Sequence, residues 1–252
     1  MASRLRPRST SELIDVLFEL LRHHYASFLT IVAAGFAPAV ALGAAEAFAG
    51  AFGNFANQFK GASPTAIILL VLVGFACVLL VNGALIHAAS DAYLDDRVDV
   101  ADAFRRSVRY VPIMSVAYLL TGLTTLLGYA FLIIPGIYLA IGLFAVPAIV
   151  LLEGRGPGEA MGRSLSLTKG RKLAVFGALF ITGLIAVISR MTIGAVGGIG
   201  GGPGVGLAAQ IAGYVAFYPL TIVMAVLLYY DARIRVEGFD IERAAASLGP
   251  TS

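Results

Sequence analysis

The sequence predicts an all-α, polytopic membrane helix bundle in which six transmembrane helices pair as three hairpin units, with short amphipathic helices at the cytoplasmic ends. Three observations lead there. The chain of 252 residues is 59% hydrophobic and only 13% charged, with a mean hydropathy of +0.88, whereas soluble domains carry about 25% charged residues. Six apolar runs can each cross about 30 Å of hydrocarbon, which takes roughly 20 helical residues. The basic residues fall on alternate connections between those runs. The runs also lack the period-two alternation of barrel strands, and in lipid every backbone N–H and C=O must be satisfied within the element.

Residues 1–27 form a cytoplasmic segment. Arg4, Arg6 and Arg8 are followed by Glu12, Asp15 and Glu19 rather than by the apolar stretch of a signal peptide, so the N-terminus is expected to be retained. Ser9 and Glu12 fit a capping box. Glu12, Asp15, Glu19 and Arg22 then make a polar stripe opposite Ile14, Leu17, Leu21, Tyr25 and Phe28.

The six spans are read at about 28–50, 65–88, 110–131, 132–152, 172–193 and 206–230, giving a bundle over 28–231 and a cytoplasmic tail over 232–252. Phe48, Phe52, Phe55 and Phe59 recur at helical spacing and read as an outward extension of span one or an interfacial helix. Spans three and four meet at 132–136 and form a tight hairpin. Pro38, Pro147 and Pro219 are expected to kink their spans. The glycine-rich stretch 194–206 lacks the strand and the Lys-Ser/Thr ending of a phosphate loop, and reads as a flexible outer loop. Close helix packing is expected at Gly136 with Ala140, Ala174 with Ala178, and Ala209 with Gly213.

Charge sets the orientation. Of the 18 Lys and Arg residues, all but Lys60 and Arg190 lie in the N-terminal segment, the tail, or the connections after spans two and four. By the positive-inside rule both termini are cytoplasmic.

The connections also repeat. Asp99 can cap a helix with an apolar face of Val100, Ala103, Phe104, Ser107, Val108 and Val111. At an offset of 57 residues, after Pro157, Ala160, Met161, Ser164, Leu165 and Thr168 keep the register, and Glu159 and Arg163 match Asp102 and Arg106. These helices suit either the headgroup boundary or packing against the bundle.

Candidate functional residues follow from cost. Glu46 and Arg190 are placed at similar depth in the outer halves of spans one and five, where they either form an intramembrane ion pair or snorkel separately. Asn82, His87 and Gln210 are the candidate polar lining of a pathway. Arg105, Arg106, Arg109, Arg163, Lys169, Arg171 and Lys172 are the candidate inner-face contacts for anionic lipid headgroups or a partner. No catalytic, cofactor or metal motif is found: His23 and His24 are adjacent, His87 stands alone, and no serine sits in a nucleophile elbow. The basic residues form no continuous face for nucleic acid. The lone Cys77 excludes an intrachain disulfide and reads as a small core residue.

The segments Ile134-Pro135-Gly136-Ile137-Tyr138, Pro147 through Glu153-Gly154, Ala160, Arg163-Ser164, Leu167, and Tyr229-Tyr230-Asp231-Ala232-Arg233-Ile234-Arg235-Val236-Glu237-Gly238-Phe239-Asp240 together resemble a bacterial group. It is the glycerophosphoryl diester phosphodiesterase membrane-domain family, with its YciC-like relatives of unknown function. The resemblance implies a bacterial inner-membrane protein and carries over no catalytic residue. The expected role is therefore non-enzymatic: organising lipid or a partner, including a second copy of the chain, at the inner face. A transporter or channel for a small or amphipathic solute, and an accessory to a lipid-processing enzyme, are the alternatives.

Overall fold

The computed structural model describes residues 6–49 and 64–239, all of it helices and their connections. The helices are α1 (Thr10–Ala49), α2 (Pro64–Asp95), α3 (Val100–Phe131), α4 (Ile133–Gly142), α5 (Val146–Glu153), α6 (Pro157–Leu167) and α7 (Lys172–Glu237). Six stretches are long and apolar enough to cross a membrane: Thr10–Leu42, Ile67–Asp95, Val100–Phe131, Ile133–Glu153, Lys172–Gly202 and Gly204–Glu237. The chain is a multi-pass, all-α membrane bundle. Phe52, Phe55, Phe59 and the side chain of Phe48 lie outside the described residues.

Local signals set the helix starts. The Ser9 amide donates to Glu12 Oε2 at 2.8 Å and the Glu12 amide donates to Ser9 Oγ at 3.3 Å, which closes the capping box. Asp99 Oδ1 accepts from the Asp102 amide at 3.0 Å. Gly154 ends α5 with φ 66°, a conformation few side-chain-bearing residues adopt, and Pro157 opens α6.

Two expected boundaries are absent. The first inner helix and span one are a single α1, kinked at His24 (φ −116°, ψ 16°), and the second inner helix is simply the start of α3. Nothing between Arg109 and the following span terminates a helix, so the hydrogen-bond ladder continues into lipid, where breaking it is costly.

Span four shows the reverse. It was expected to be a kinked helix, but it is interrupted between Gly142 and Val146. Pro147 falls in the first turn of α5 and has no N–H to offer the preceding turn, so the Val146 amide turns to the Leu143 carbonyl at 3.2 Å. Ser164 of α6 closes the gap from outside: its Oγ donates to the Gly142 carbonyl at 2.7 Å and accepts from the Ala145 amide at 3.3 Å.

The stretch 194–206 is helical, not a flexible loop. Within α7, Gly202 alone departs from helical geometry, at φ 79° and ψ −177°, and divides it into the arms Lys172–Gly202 and Gly204–Glu237. A Cβ on Gly206 would lie 2.9 Å from Gly198 Cα, so the two backbones touch. A Cβ on Gly197 would meet Ala209, and one on Gly213 would lie 3.3 Å from Arg190 Cα. The glycines that suggested flexibility serve close packing instead. Gly136 does the same in the α3–α4 hairpin, where a Cβ on Gly128 would lie 3.0 Å from its Cα. Ala178 is buried at the start of the first arm.

Burial concentrates at the end of the bundle that holds the 96–99, 154–156 and 168–171 connections. There Leu13, Leu17, Leu85, Ala88, Ile149, Val223, Met224 and Tyr229 form the core, while Phe131, Leu132, Ile133, Leu173 and Ile199 are exposed on the outside of the bundle. The repeat is visible in burial. Ala103 and Ala160 are buried, as are Ser107 and Ser164, whereas Val108 (58%) and Leu165 (36%) are exposed, so the apolar face expected in both helices is narrower by one residue.

Candidate functional site: the charged end and the polar centre of the bundle

The second arm of α7 brings a carboxylate into the protein interior. Asp231 is 2% exposed, and a buried charge must be paired and hydrogen-bonded. It accepts from Arg171 Nη1 at 2.7 Å, from Arg235 Nε at 3.0 Å, and from the Arg8 amide at 2.9 Å. Arg235 Nη2 also donates to the Arg8 carbonyl at 2.6 Å. One acid thus ties the N-terminal segment, the 168–171 turn and the last helix.

A second cluster surrounds Glu153 at the end of α5. Arg163 pairs with Glu153 and, at 2.7 Å, with Glu237. The Tyr229 hydroxyl donates to Glu153 Oε1 at 2.9 Å, and Arg233 reaches Glu237 at 3.1 Å. Burial works against the charge of Arg163, but the hydrogen bonds and attraction of Glu237 and Glu153 outweigh it and raise its pKa above the ordinary guanidinium value. Between α2 and α3, Arg106 pairs with Asp91 and, at 2.9 Å, with Asp102. The His24 ring is 3.1 Å from Asp96.

The seven cations expected at the inner face therefore divide. Arg106, Arg163 and Arg171 are held by acids of the bundle. Lys172 stands over the Tyr138 ring, 3.1 Å from its centroid. The side chains of Arg105, Arg109 and Lys169 are exposed and make no ion pair or hydrogen bond among the described residues.

A polar cluster lies within the bundle. Asn82 of α2 donates from Nδ2 to the Tyr118 hydroxyl at 2.8 Å, and its Oδ1 accepts from the Tyr218 hydroxyl at 2.7 Å. The amide thereby joins α2, α3 and the second arm of α7. Beside it, at the interruption of span four, is a cavity of about 330 Å³ lined by Tyr118, Thr121, Thr125, Leu143, Pro147 and Ile222 among others. It reaches Tyr118 but not Asn82. The three expected lining residues are not brought together. His87 is 4% exposed with neither ring nitrogen hydrogen-bonded, its ring 6.3 Å from that of Tyr110. Gln210 packs on Gly194 between the arms of α7. Arg190 sits 5.6 Å from the Tyr214 ring centroid; the side chain of Glu46 lies outside the described residues, and with it the proposed ion pair.

Sequence reasoning missed the acceptors. No local pattern marks Asp91, Glu153, Asp231 and Glu237 as partners, and only the fold brings the arginines to them. Tyr118 and Tyr218 carried a signal: tyrosines well inside a span, away from the interfaces where such rings usually anchor. Among the described residues no group of three His, Cys, Asp or Glu side chains is arranged to hold a metal ion.

No family model matches the chain, and neither a curated protein nor a solved structure matches it.

Proposed function

We propose that this chain is a non-enzymatic protein of a bacterial cytoplasmic membrane, with both termini inside, that organises anionic lipid at its inner rim. One observation carries the reading. The cations that the bundle needs are neutralised internally, whereas Arg105, Arg109 and Lys169 are left exposed without acidic partners. On the first turns of α3, Val108 stands exposed between Arg105 and Arg109. An apolar side chain between two free guanidinium groups suits the boundary between acyl chains and phosphates, where each basic residue contributes about 1 kcal/mol of attraction to an anionic surface. The family resemblance adds a bacterial inner membrane and offers no catalytic residue.

The test is the lipid retained through mild detergent extraction. Arg105→Gln with Arg109→Gln and Lys169→Gln should reduce the enrichment of phosphatidylglycerol over phosphatidylethanolamine severalfold. Unchanged enrichment in a folded triple variant would remove the proposal.

A second reading is favoured by the cavity beside the interrupted span, since discontinuous helices in membranes often border binding sites. Binding of an amphipathic solute there predicts that Thr121→Cys, but not the buried native Cys77, reacts with a water-soluble maleimide. An unreactive Thr121→Cys would remove this reading.

A further inference from the structure

A groove of about 410 Å³ runs between α1 and the second arm of α7, lined by Phe18, Leu21, Arg22, Tyr25, Ala216, Phe217 and Leu220. Apart from one guanidinium and one hydroxyl it is apolar. The hydroxyl is spent, because Tyr25 donates to the Ala216 carbonyl at 3.1 Å and so bridges the two walls. The guanidinium is not. Arg22 is exposed and has no ion-pair or hydrogen-bond partner among the described residues.

Helical spacing explains the arrangement. Residues 18, 22 and 25 share one face of α1, opposite the buried Leu13, Val16, Leu17 and Leu20, so the buried stripe is rotated from the one expected and Tyr25 lies on the exposed side with Arg22. That face presents a cation between two aromatic rings, with a greasy furrow alongside. In water such a furrow would be costly. At the rim of a bilayer it matches a molecule with aliphatic chains and a negative headgroup.

We propose that this groove holds one anionic phospholipid, with an acyl chain along Phe217 and Leu220 and its phosphate on Arg22. The proposal rests on the reading that this end of the bundle faces the inner leaflet, but it concerns a different helix pair from the Arg105 and Arg109 rim. Charge complementarity selects the occupant. A zwitterionic lipid brings its own cation beside the phosphate and so compensates the guanidinium less fully, and a soluble anion would leave the furrow empty.

The chain contains no tryptophan, so Phe217→Trp places a single reporter in the groove and Phe18→Trp a second one at its edge. Each is reconstituted in nanodiscs of phosphatidylcholine with increasing brominated phosphatidylglycerol or brominated phosphatidylcholine. The expected result is quenching of both reporters at about fivefold lower mole fraction of the brominated phosphatidylglycerol, roughly the advantage one basic residue gives at a charged surface. Arg22→Gln should abolish that preference, while Arg105→Gln with Arg109→Gln should preserve it. Equal quenching by the two lipids would overturn the proposal, as would a preference that survives Arg22→Gln or is lost equally in the rim variant. Lipid enrichment that depends on the rim with no preference in the groove overturns only the groove. A groove preference with no rim dependence overturns only the broader reading.

Discussion

Arg163 occupies in its repeat unit the place that Arg106 occupies in the one before. Each reaches back to an acid at or near the C-terminal end of a preceding helix, Asp91 of α2 for Arg106 and Glu153 of α5 for Arg163. The repeat therefore conserves a clasp as well as a pattern of burial. Its arginines stitch helix to helix and are not free for an external ligand.

Arg163→Gln should accordingly destabilise the protein by about 2 kcal/mol, because it leaves a largely buried carboxylate short of a partner. Arg105→Gln, one residue before the corresponding position of the earlier unit, should change stability by less than about 0.5 kcal/mol. Denaturant unfolding in micelles, followed by circular dichroism, compares the two.

Asp231→Asn removes a charge that Arg171 and Arg235 share and weakens the acceptor of the Arg8 amide. A loss of about 3 kcal/mol is expected, the usual scale for breaking a buried pair. Limited proteolysis should also cut before Thr10 in this variant sooner than in the parent, since the N-terminal segment loses its anchor.

Ser164 and Ser107 are equally buried but do different work. Ser164 bridges the interruption of span four, whereas Ser107 Oγ returns its hydrogen to the Ala103 carbonyl of its own helix at 2.7 Å. Ser164→Ala should cost about 1 to 2 kcal/mol and Ser107→Ala well under 1. Similar losses from both in thermal unfolding would contradict the bridging role.

Gly206→Ala drives a methyl against the backbone of the opposite arm and should cost about 1 to 3 kcal/mol. Gly200→Ala meets nothing within 4 Å and should be neutral or stabilising by up to about 1 kcal/mol, through the better helix propensity of alanine. Midpoints of thermal aggregation in detergent would rank the two variants.

The fold was legible because bilayer physics narrows the choices. Apolar length gave the six spans, and the caps at Ser9 and Asp99 were readable from their side chains alone. The helix breaks were harder. Pro38 and Pro219 stay within continuous helices, and only Pro147 coincides with an interruption, where Ser164 supplies the missing hydrogen bonds from another helix. No local pattern distinguishes those cases. The glycines of 194–206 misled for a related reason, since composition cannot tell a chain that bends freely from one that needs room for a neighbouring backbone. At the charged end the sequence showed which residues were basic but not which were already paired, because Asp91, Glu153 and Asp231 lie 15, 10 and 60 positions from Arg106, Arg163 and Arg171.

The Asp231 knot has a consequence for synthesis. Its carboxylate lies 223 positions after Arg8 in the chain, so the Arg8 contact cannot form until the stretch carrying Asp231 has been synthesised. Until then the start of α1 relies on its capping box and on the apolar packing of Leu13, Val16 and Leu17.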